Sequence, residues 1–435
     1  MEPWLVAVLL FGGLLLALAT GLPIAFAFGL VNVFGLFFFF GGARAFSVLA
    51  FSGYNSIASF LFVTLPLFIL IGDIVFHCGI ATRMIDAVGK MVGGGRGSLY
   101  YITVVGCTIF GAVSGSTMAA TAVFGSVMLP QGKERGYNLP LLGGIIIGVG
   151  PLSILIPPSG LMVVFSGISQ LSLSKLLMGG IGPGLVIAAL FLIYITIRLR
   201  LNLRLAPASE ESVSLKQRVW AIKDVAPLAL IIFAVIGTIY MGIATPTESA
   251  ALGALAAFVL AALYRQLNWT SIRKSTVATV RISGFILMIL LGAQAYGQIL
   301  AYTGVSQTIA GALTGLPLSP IQLLIAMMVM VIIMGTFMDS TAIMFVAVPI
   351  YMPIFQALGF DLLWCGVVMM VAIEIGVITP PFAVNIFVLQ GVAPKELTLK
   401  DLYKVSIPVT LLHVAGMLVV IAFPMVATFI PRLLR

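Results

Sequence analysis

Charged side chains are scarce in this 435-residue chain: Asp, Glu, Lys and Arg together make up 8% of it, against about 25% in a soluble domain. A water-facing surface cannot be built from so few, which excludes a soluble globular protein. Histidine occurs twice, at His77 and His413, far apart and without neighbouring ligands, so packing or interface positions are expected for both. The three cysteines, Cys78, Cys107 and Cys365, all sit in or near apolar segments. An odd number without metal-ligand spacing favours buried packing over disulfides or zinc. No nucleotide motif, metal cluster or nucleophile–base pair occurs. Gly93-Gly94-Gly95-Arg96-Gly97 has the glycines of a phosphate loop but follows no strand, and reads as a flexible connection. The chain is not expected to be an enzyme or to bind a nucleotide.

What the sequence has is apolar length. It is 61% hydrophobic, with a mean hydropathy of +1.22, and its apolar runs of roughly 20 residues suit a hydrocarbon core of about 30 Å. The net charge of +9 does not point to nucleic acid, because its placement suits a membrane. Arg198, Arg200, Arg204, Lys216, Arg218 and Lys223 gather at one hydrophilic connection, the mark of a cytoplasmic side. Spans are expected near 4–19, 21–40, 59–77, 139–170, 175–198, 224–242, 247–264, 280–302, 361–390 and 404–430. The runs near 98–130 and 320–356 carry small polar patches mid-way and read as re-entrant helical hairpins, since irregular backbone at membrane depth must be buried by protein or line a wet cavity.

Lys and Arg placement gives ten spans with both ends outside, Arg44, Arg432 and Arg435 being exceptions. No Lys or Arg precedes Arg44, so no cleavable signal is expected and the N-terminus lies outside. The charge-free 303–319 connection suits the outside. The first hairpin then enters from the cytoplasm and the second from outside. The stretch 83–96 reads either as an interfacial helix or as plain solvated surface.

That opposite pair is supported by an internal repeat. Gly72 and Gly79 recur 225 positions later as Gly297 and Gly304. Gly111-Ala112-Val113-Ser114-Gly115-Ser116-Thr117 aligns with Gly335-Thr336-Phe337-Met338-Asp339-Ser340-Thr341 at 224, and Pro130 and Pro157-Pro158 with Pro353 and Pro380-Pro381 at 223. One Gly or Pro match means little in membrane helices; four landmarks in register are hard to obtain by chance. Inverted repeats with interrupted helices point to a transporter binding site. The expected fold is an all-α polytopic membrane protein of about ten spans plus two re-entrant hairpins in an inverted repeat. Its parts are N-terminal scaffold helices (1–58), a first transport repeat (59–174), scaffold helices with the basic connection (175–279), a second transport repeat (280–394) and a C-terminal helix (395–435).

Each repeat has the same physics. Pro157 and Pro158 remove two backbone donors, leaving carbonyls near Ser153 and Ile156 to face a hard cation such as sodium. The hairpin tip near Gly111 and Ser114 brings more oxygens. Gly335, Asp339, Gly376 and Thr379 repeat the pattern, and half-helix N-termini offer N–H groups to an anion. The plain alternative is that such pairs only kink and pack helices. Of the ionisable residues in apolar runs, Asp339 is the best candidate for a cation ligand or gate. Glu374 fits a ligand or a structural role equally, and Asp73 a packing role. Thr245-Pro246-Thr247-Glu248 reads as a capping box.

The chain resembles the large membrane subunit of tripartite ATP-independent periplasmic (TRAP) transporters. The resemblance is carried by Gly21-Leu22-Pro23-Ile24-Ala25-Phe26, Ser114-Gly115-Ser116, Ile156-Pro157-Pro158-Ser159, Thr245-Pro246-Thr247-Glu248-Ser249-Ala250-Ala251 and Thr379-Pro380-Pro381, in order along essentially the whole length. It implies a sodium-coupled elevator carrier in the bacterial inner membrane. The implied partners are a separate small four-helix membrane subunit and a soluble periplasmic protein that delivers an organic acid anion. By similarity, one sodium site involves Gly111, Ser114, Ser153, Ile156 and Pro158, and a second Gly335, Gly376, Thr379 and Phe382, to which the residue reading adds Asp339. Met338 stands where the first hairpin has Ser114, so the two sites differ. The anion is expected between the hairpin tips near Ser116, Thr117, Ser159, Ser340, Thr341 and Asn385. The alternatives are a self-sufficient sodium/dicarboxylate or divalent-anion symporter and, from another class, an intramembrane enzyme or channel.

Overall fold

The computed structural model describes residues 2–39, 47, 51, 53, 54, 58–207, 214–381 and 383–434; Arg44, Phe382 and Arg435 lie outside them. Among the described residues every regular element is a helix. Two helices, α1 (Pro3–Ala19) and α2 (Ile24–Phe39), open the chain, and α3 (Thr64–His77) follows a short turn. Gly79, at φ 66°, turns into α4 (Ile80–Val92), an amphipathic helix that buries Met84, Ile85 and Val88. Next come the hairpin arms α5 (Ser98–Ser114) and α6 (Thr117–Glu134), then α7 (Leu139–Val149), a tight turn at Gly150–Ser153 and α8 (Gly160–Ser169). The chain continues through α9 (Leu173–Leu201), α10 (Leu215–Tyr240) and α11 (Pro246–Leu263).

The second half runs through similar elements. The long helix α12 (Trp269–Tyr302) ends at Gly304, φ 74°, which leads into α13 (Val305–Thr314). A hairpin follows, α14 (Pro320–Gly335) and α15 (Ser340–Ala357), then the interrupted pair α16 (Leu362–Ile378) and α17 (Val384–Val392). The last helices are α18 (Leu399–Ala422) and α19 (Met425–Arg432). Both hairpins therefore form where small polar patches interrupt the apolar runs, and both helices that carry Pro-Pro pairs break there.

Local chemistry sets these boundaries. Asn138 and Asp361 cap α7 and α16, accepting from backbone N–H groups at 2.9 Å, and Ser319 with Gln322 makes a capping box on α14. Thr245 and Glu248 form the capping box expected of them, with Thr245 N–H donating to Glu248 Oε2 at 2.8 Å. The glycine-rich 93–97 connection is an ordered turn, with Gly93 and Gly97 at φ 84° and 80°. Arg96 pins it by donating to the Leu203 and Ala206 carbonyls. All three cysteines are free and buried.

Three elements differ from the sequence expectation. The span expected at 280–302 begins at Trp269, because Asn268 accepts from Ser271 N–H at 2.8 Å and Arg273 and Lys274 are good helix formers. At 34 residues it is about 50 Å long, well beyond an apolar core. The 303–319 connection contains a helix, α13. The span expected at 404–430 is two helices, since Pro424 cannot supply the N–H that would continue α18.

Among the described residues six stretches are long and apolar enough to cross a membrane: Phe60–His77, Leu173–Leu201, Pro246–Leu263, Trp269–Tyr302, Ser340–Ala357 and Leu399–Ala422. The most buried elements are the broken helices. Every residue of α7 from Leu141 to Val149 and every residue of α16 from Trp364 to Ile378 is buried. Around them α14 packs on α16, α5 and α6 pack on the 150–153 turn, and α18 packs on both α7 and α16. On the other side α12 joins α2 and α3, and α3 joins α11. Asp73 serves the α3–α12 contact: Thr279 donates to its Oδ2 and Ser275 to its carbonyl, each at 3.1 Å. His77 Nδ1–H donates to the same carbonyl at 2.9 Å.

Candidate functional site

The first break and the first hairpin tip meet at Gly111. A β-carbon placed there would lie 3.1 Å from Ser153 Cβ and 3.3 Å from its Cα. With no side chain at that position helix α5 runs close to the 150–153 turn, and a β-carbon there would require Ser153 to give by a few tenths of an ångström. Gly115, at φ 58°, caps α5 in the left-handed conformation and sits against the Pro158 carbonyl. From the other side Gly72 of α3 lies against the Ser114 carbonyl. Gly111, Ser114, Ser153, Pro158 and Ser159 are thus gathered where α3, α5 and the break converge. Ile156 belongs to the same break, but its side chain packs on Gly184 of α9, which leaves its backbone for any role at the site.

The polar atoms here are poorly served. Ser153 is fully buried and its hydroxyl has no hydrogen-bond partner among the described residues. Thr121 Oγ1, one turn along α6 from Thr117 and facing Gly150, is in the same position. Buried polar groups are normally paired, so two unpaired hydroxyls beside a helix break mark room for a further partner. Sequence reasoning missed Thr121; its spacing of four from Thr117 places both on one face of α6 and was a usable signal.

The second break is built on a closer approach. A β-carbon on Gly376 would stand 2.7 Å from Gly335 Cα, so α14 and α16 touch backbone to backbone. The Thr379 hydroxyl donates to the Ile375 carbonyl at 2.6 Å and its N–H to the Gly376 carbonyl at 3.1 Å. Its side-chain hydrogen is therefore spent inside α16. Asp339 is the N-cap of α15, with Oδ1 accepting from Thr341 N–H at 2.7 Å and Ala342 N–H at 3.0 Å. It corresponds to the N-cap Ser116 of α6, which accepts from Ala119 N–H at 3.3 Å. The caps thus lie 223 positions apart (Ser116 to Asp339), as Pro130 and Pro353 do. The tips differ in length, Gly115-Ser116 in the first and Thr336 to Asp339 in the second. Sequence alignment alone paired Ser116 with Ser340 and hid the equivalence.

The six residues singled out for an anion all lie at helix N-termini. Ser116 caps α6 and Thr117 is its first residue; Ser340 and Thr341 open α15. Ser159 caps α8, accepting from Met162 N–H at 3.4 Å, and Asn385 is the second residue of α17. Asn385 is buried, and its amide Nδ2 lacks a hydrogen-bond partner among the described residues. Helix starts suit a negatively charged group through their N–H groups; at α6 and α8 the serine caps take one N–H each, and at α15 the Asp339 carboxylate takes two. No cluster of three His, Cys, Asp or Glu occurs among the described residues; the oxygens gathered near the breaks are carbonyls and hydroxyls, with the Asp339 carboxylate at the second hairpin tip.

A polar link that sequence reasoning missed lies beside both breaks. His413, on α18, donates from Nε2 to the Gly148 carbonyl of α7 at 2.7 Å. Its Nδ1 stands 3.7 Å from Glu374 Oε2 of α16, and both side chains are fully buried. Tyr403, also on α18, donates to the Pro381 carbonyl at 2.7 Å.

Residues 11–426 match the profile of the DctM component of tripartite ATP-independent periplasmic transporters. The C4-dicarboxylate TRAP transporter large permease protein DctM of Vibrio cholerae is 31% identical over 439 residues, covering 95% of each chain. The isethionate TRAP transporter permease protein DctMQ of Oleidesulfovibrio alaskensis is 32% identical over 422 residues, covering 97% of this chain and 65% of that one. Among solved structures, the YdaH transporter of Alcanivorax borkumensis shares the fold, with a TM-score of 0.62 and 14% identity over 88% of this chain and 89% of that one.

Proposed function

This chain belongs to the DctM family of tripartite ATP-independent periplasmic transporters, and we propose that, as a large permease subunit, it imports a small organic acid anion together with sodium. The observation that carries the sodium assignment is the buried Ser153 hydroxyl, without a partner among the described residues, on a residue packed against Gly111 at the first break, with the Gly335–Gly376 approach at the corresponding place in the second half. Sodium takes oxygen ligands, and each break frees backbone carbonyls from helical hydrogen bonds in a region sheltered from water.

Cargo and coupling ion then meet on neighbouring elements. Sodium at the first break holds α5 and the 150–153 turn together, which fixes the N-termini of α6 and α8 where an anion is received. Sodium at the second break does the same for α15 and α17. No bond is made or broken, so the protein is a carrier and not an enzyme. The paired hairpins and breaks support an inverted repeat that moves as a transport body against the remaining helices, the elevator form of alternating access. The family supports an inner-membrane location. It also supports two partners, a periplasmic binding protein and a small membrane subunit; the longer DctMQ relative is in keeping with the latter. Relatives named for C4-dicarboxylate and for isethionate support an organic acid as cargo.

The test is uptake into proteoliposomes that hold this chain and its small subunit, with binding protein and labelled substrate outside. Uptake is expected to need sodium and all three proteins; equal uptake in potassium contradicts the coupling. Uptake by this chain alone, without a binding protein, would favour the self-sufficient symporter instead.

A further inference from the structure

We infer that His413 is a positioning residue that locks the two helix breaks to one another through α18. Its imidazole is the one side chain that reaches both interrupted helices among the contacts described above: Nε2–H donates to the Gly148 carbonyl at 2.7 Å, and Nδ1 faces Glu374 Oε2 at 3.7 Å. Gly148 lies one residue before the end of α7, and Glu374 two residues before Gly376. The link therefore sits just upstream of each break, in the helix that leads into it. Tyr403 adds a second tie from the same helix, to the Pro381 carbonyl inside the second break.

Folding alone does not ask for this arrangement. The carboxyl of Glu374 is fully buried with neither oxygen hydrogen-bonded among the described residues, and burying such a group costs stability. Apolar residues of similar size commonly replace a buried polar pair without loss. A hydrogen bond adds a directional constraint between helices to the register that apolar packing supplies. The imidazole, seated edge-on against Phe191 with centroids 5.6 Å apart, supplies that constraint through the Gly148 bond and sets Nδ1 beside Glu374 Oε2, so a shift of either break relative to the other disturbs one contact or the other. Ordering of the first break by an ion is thereby felt at the second.

This inference rests on the two-ion reading above, and its test separates the two. His413→Leu removes both contacts, His413→Gln keeps an amide donor for the Gly148 carbonyl, and Glu374→Leu removes the other side while remaining apolar and of similar volume. Each variant, reconstituted with the small subunit, is compared with the parent in two measurements: the sodium dependence of uptake per folded molecule, and hydrogen exchange of segments 146–158 and 374–384. His413→Leu is expected to raise half-saturating sodium by about 5- to 150-fold, the usual range of coupling between sites, and to flatten the sodium curve while the KM for substrate-loaded binding protein changes little. His413→Gln is expected to restore most of the loss. Glu374→Leu is expected to speed exchange in 146–158, a segment on the far side of His413. A purely structural role predicts lower yield with the sodium curve and the 146–158 exchange unchanged in all three variants, and that result overturns the inference. Should the parent prove independent of sodium, the coupling reading fails, and exchange in 146–158 alone decides whether His413 joins the breaks.

Discussion

Gly335 and Gly376 approach so closely that a methyl group on Gly376 would stand 2.7 Å from Gly335 Cα. No side chain can rotate away to relieve that contact, because both partners are backbone. The corresponding contact in the first half, Gly111 against Ser153, is looser, at 3.1 Å to Ser153 Cβ. Gly376→Ala should therefore cost at least the ~1–3 kcal/mol typical of overpacking and lower the amount of folded protein recovered in detergent. Gly111→Ala should fold and show its effect in half-saturating sodium. Equal thermal midpoints for the two variants would contradict the asymmetry.

Ser153 and Thr379 should part company under substitution. The Ser153 hydroxyl has no partner among the described residues, so Ser153→Ala should leave the unfolding midpoint in sodium-free buffer unchanged or slightly raised. The rise in midpoint that sodium gives the parent by binding the folded state should shrink. Thr379→Val loses a hydroxyl that donates to the Ile375 carbonyl but leaves the backbone carbonyls of the second break in place, and should keep most of the sodium-induced rise. A thermal-shift titration with sodium chloride against potassium chloride checks both.

The hairpins are expected to open to opposite sides of the membrane. In a background without the three native cysteines, a cysteine at Glu134, at the base of the first hairpin, should react with an impermeant maleimide only from the cytoplasm. One at Leu318, before the second, should react only from outside. Labelling of both from one side would remove the inverted arrangement.

Lys133 on α6 and Glu396 before α18 form an exposed ion pair at 2.7 Å. The hydrogen bond from Lys133 holds the Glu396 carboxyl below its ordinary range. A carboxyl depressed in the folded state stabilises it above the unfolded-state value, and the contribution is lost as pH falls through the folded-state value. The contact should thus be unaffected between pH 6 and pH 8. Being exposed, it should weaken with salt. Lys133→Glu should slow uptake modestly at low ionic strength, and the swap Lys133→Glu with Glu396→Lys should recover it; no recovery would show that the pair carries nothing.

Much of the architecture was legible because Gly and Pro act locally. The Pro157-Pro158 and Pro380-Pro381 pairs fall in the two helix breaks, whereas single prolines such as Pro183 and Pro227 lie inside continuous helices, and Gly79 and Gly304 mark the same turn in both halves. What was not legible depended on distance. His413 meets Gly148 across 265 positions, and no spacing rule joins a lone histidine to a carbonyl so remote. Asp339 stood out as a candidate ion ligand because a charge in an apolar run is costly; that its Oδ1 also caps α15 was not readable from spacing. The start of α12 at Trp269 was hidden since hydropathy sees the apolar part of a helix and not its basic extension. Phe382, expected at the second ion site, lies outside the described residues.

The central claim is that sodium travels with the anion. Simultaneous uptake of radioactive sodium and labelled substrate, in proteoliposomes holding this chain and its small subunit with the binding protein outside, measures it directly. The account predicts that sodium enters with each substrate molecule at a fixed ratio of two or more, and that Ser153→Ala reduces both fluxes. Substrate accumulation with no accompanying sodium would contradict it.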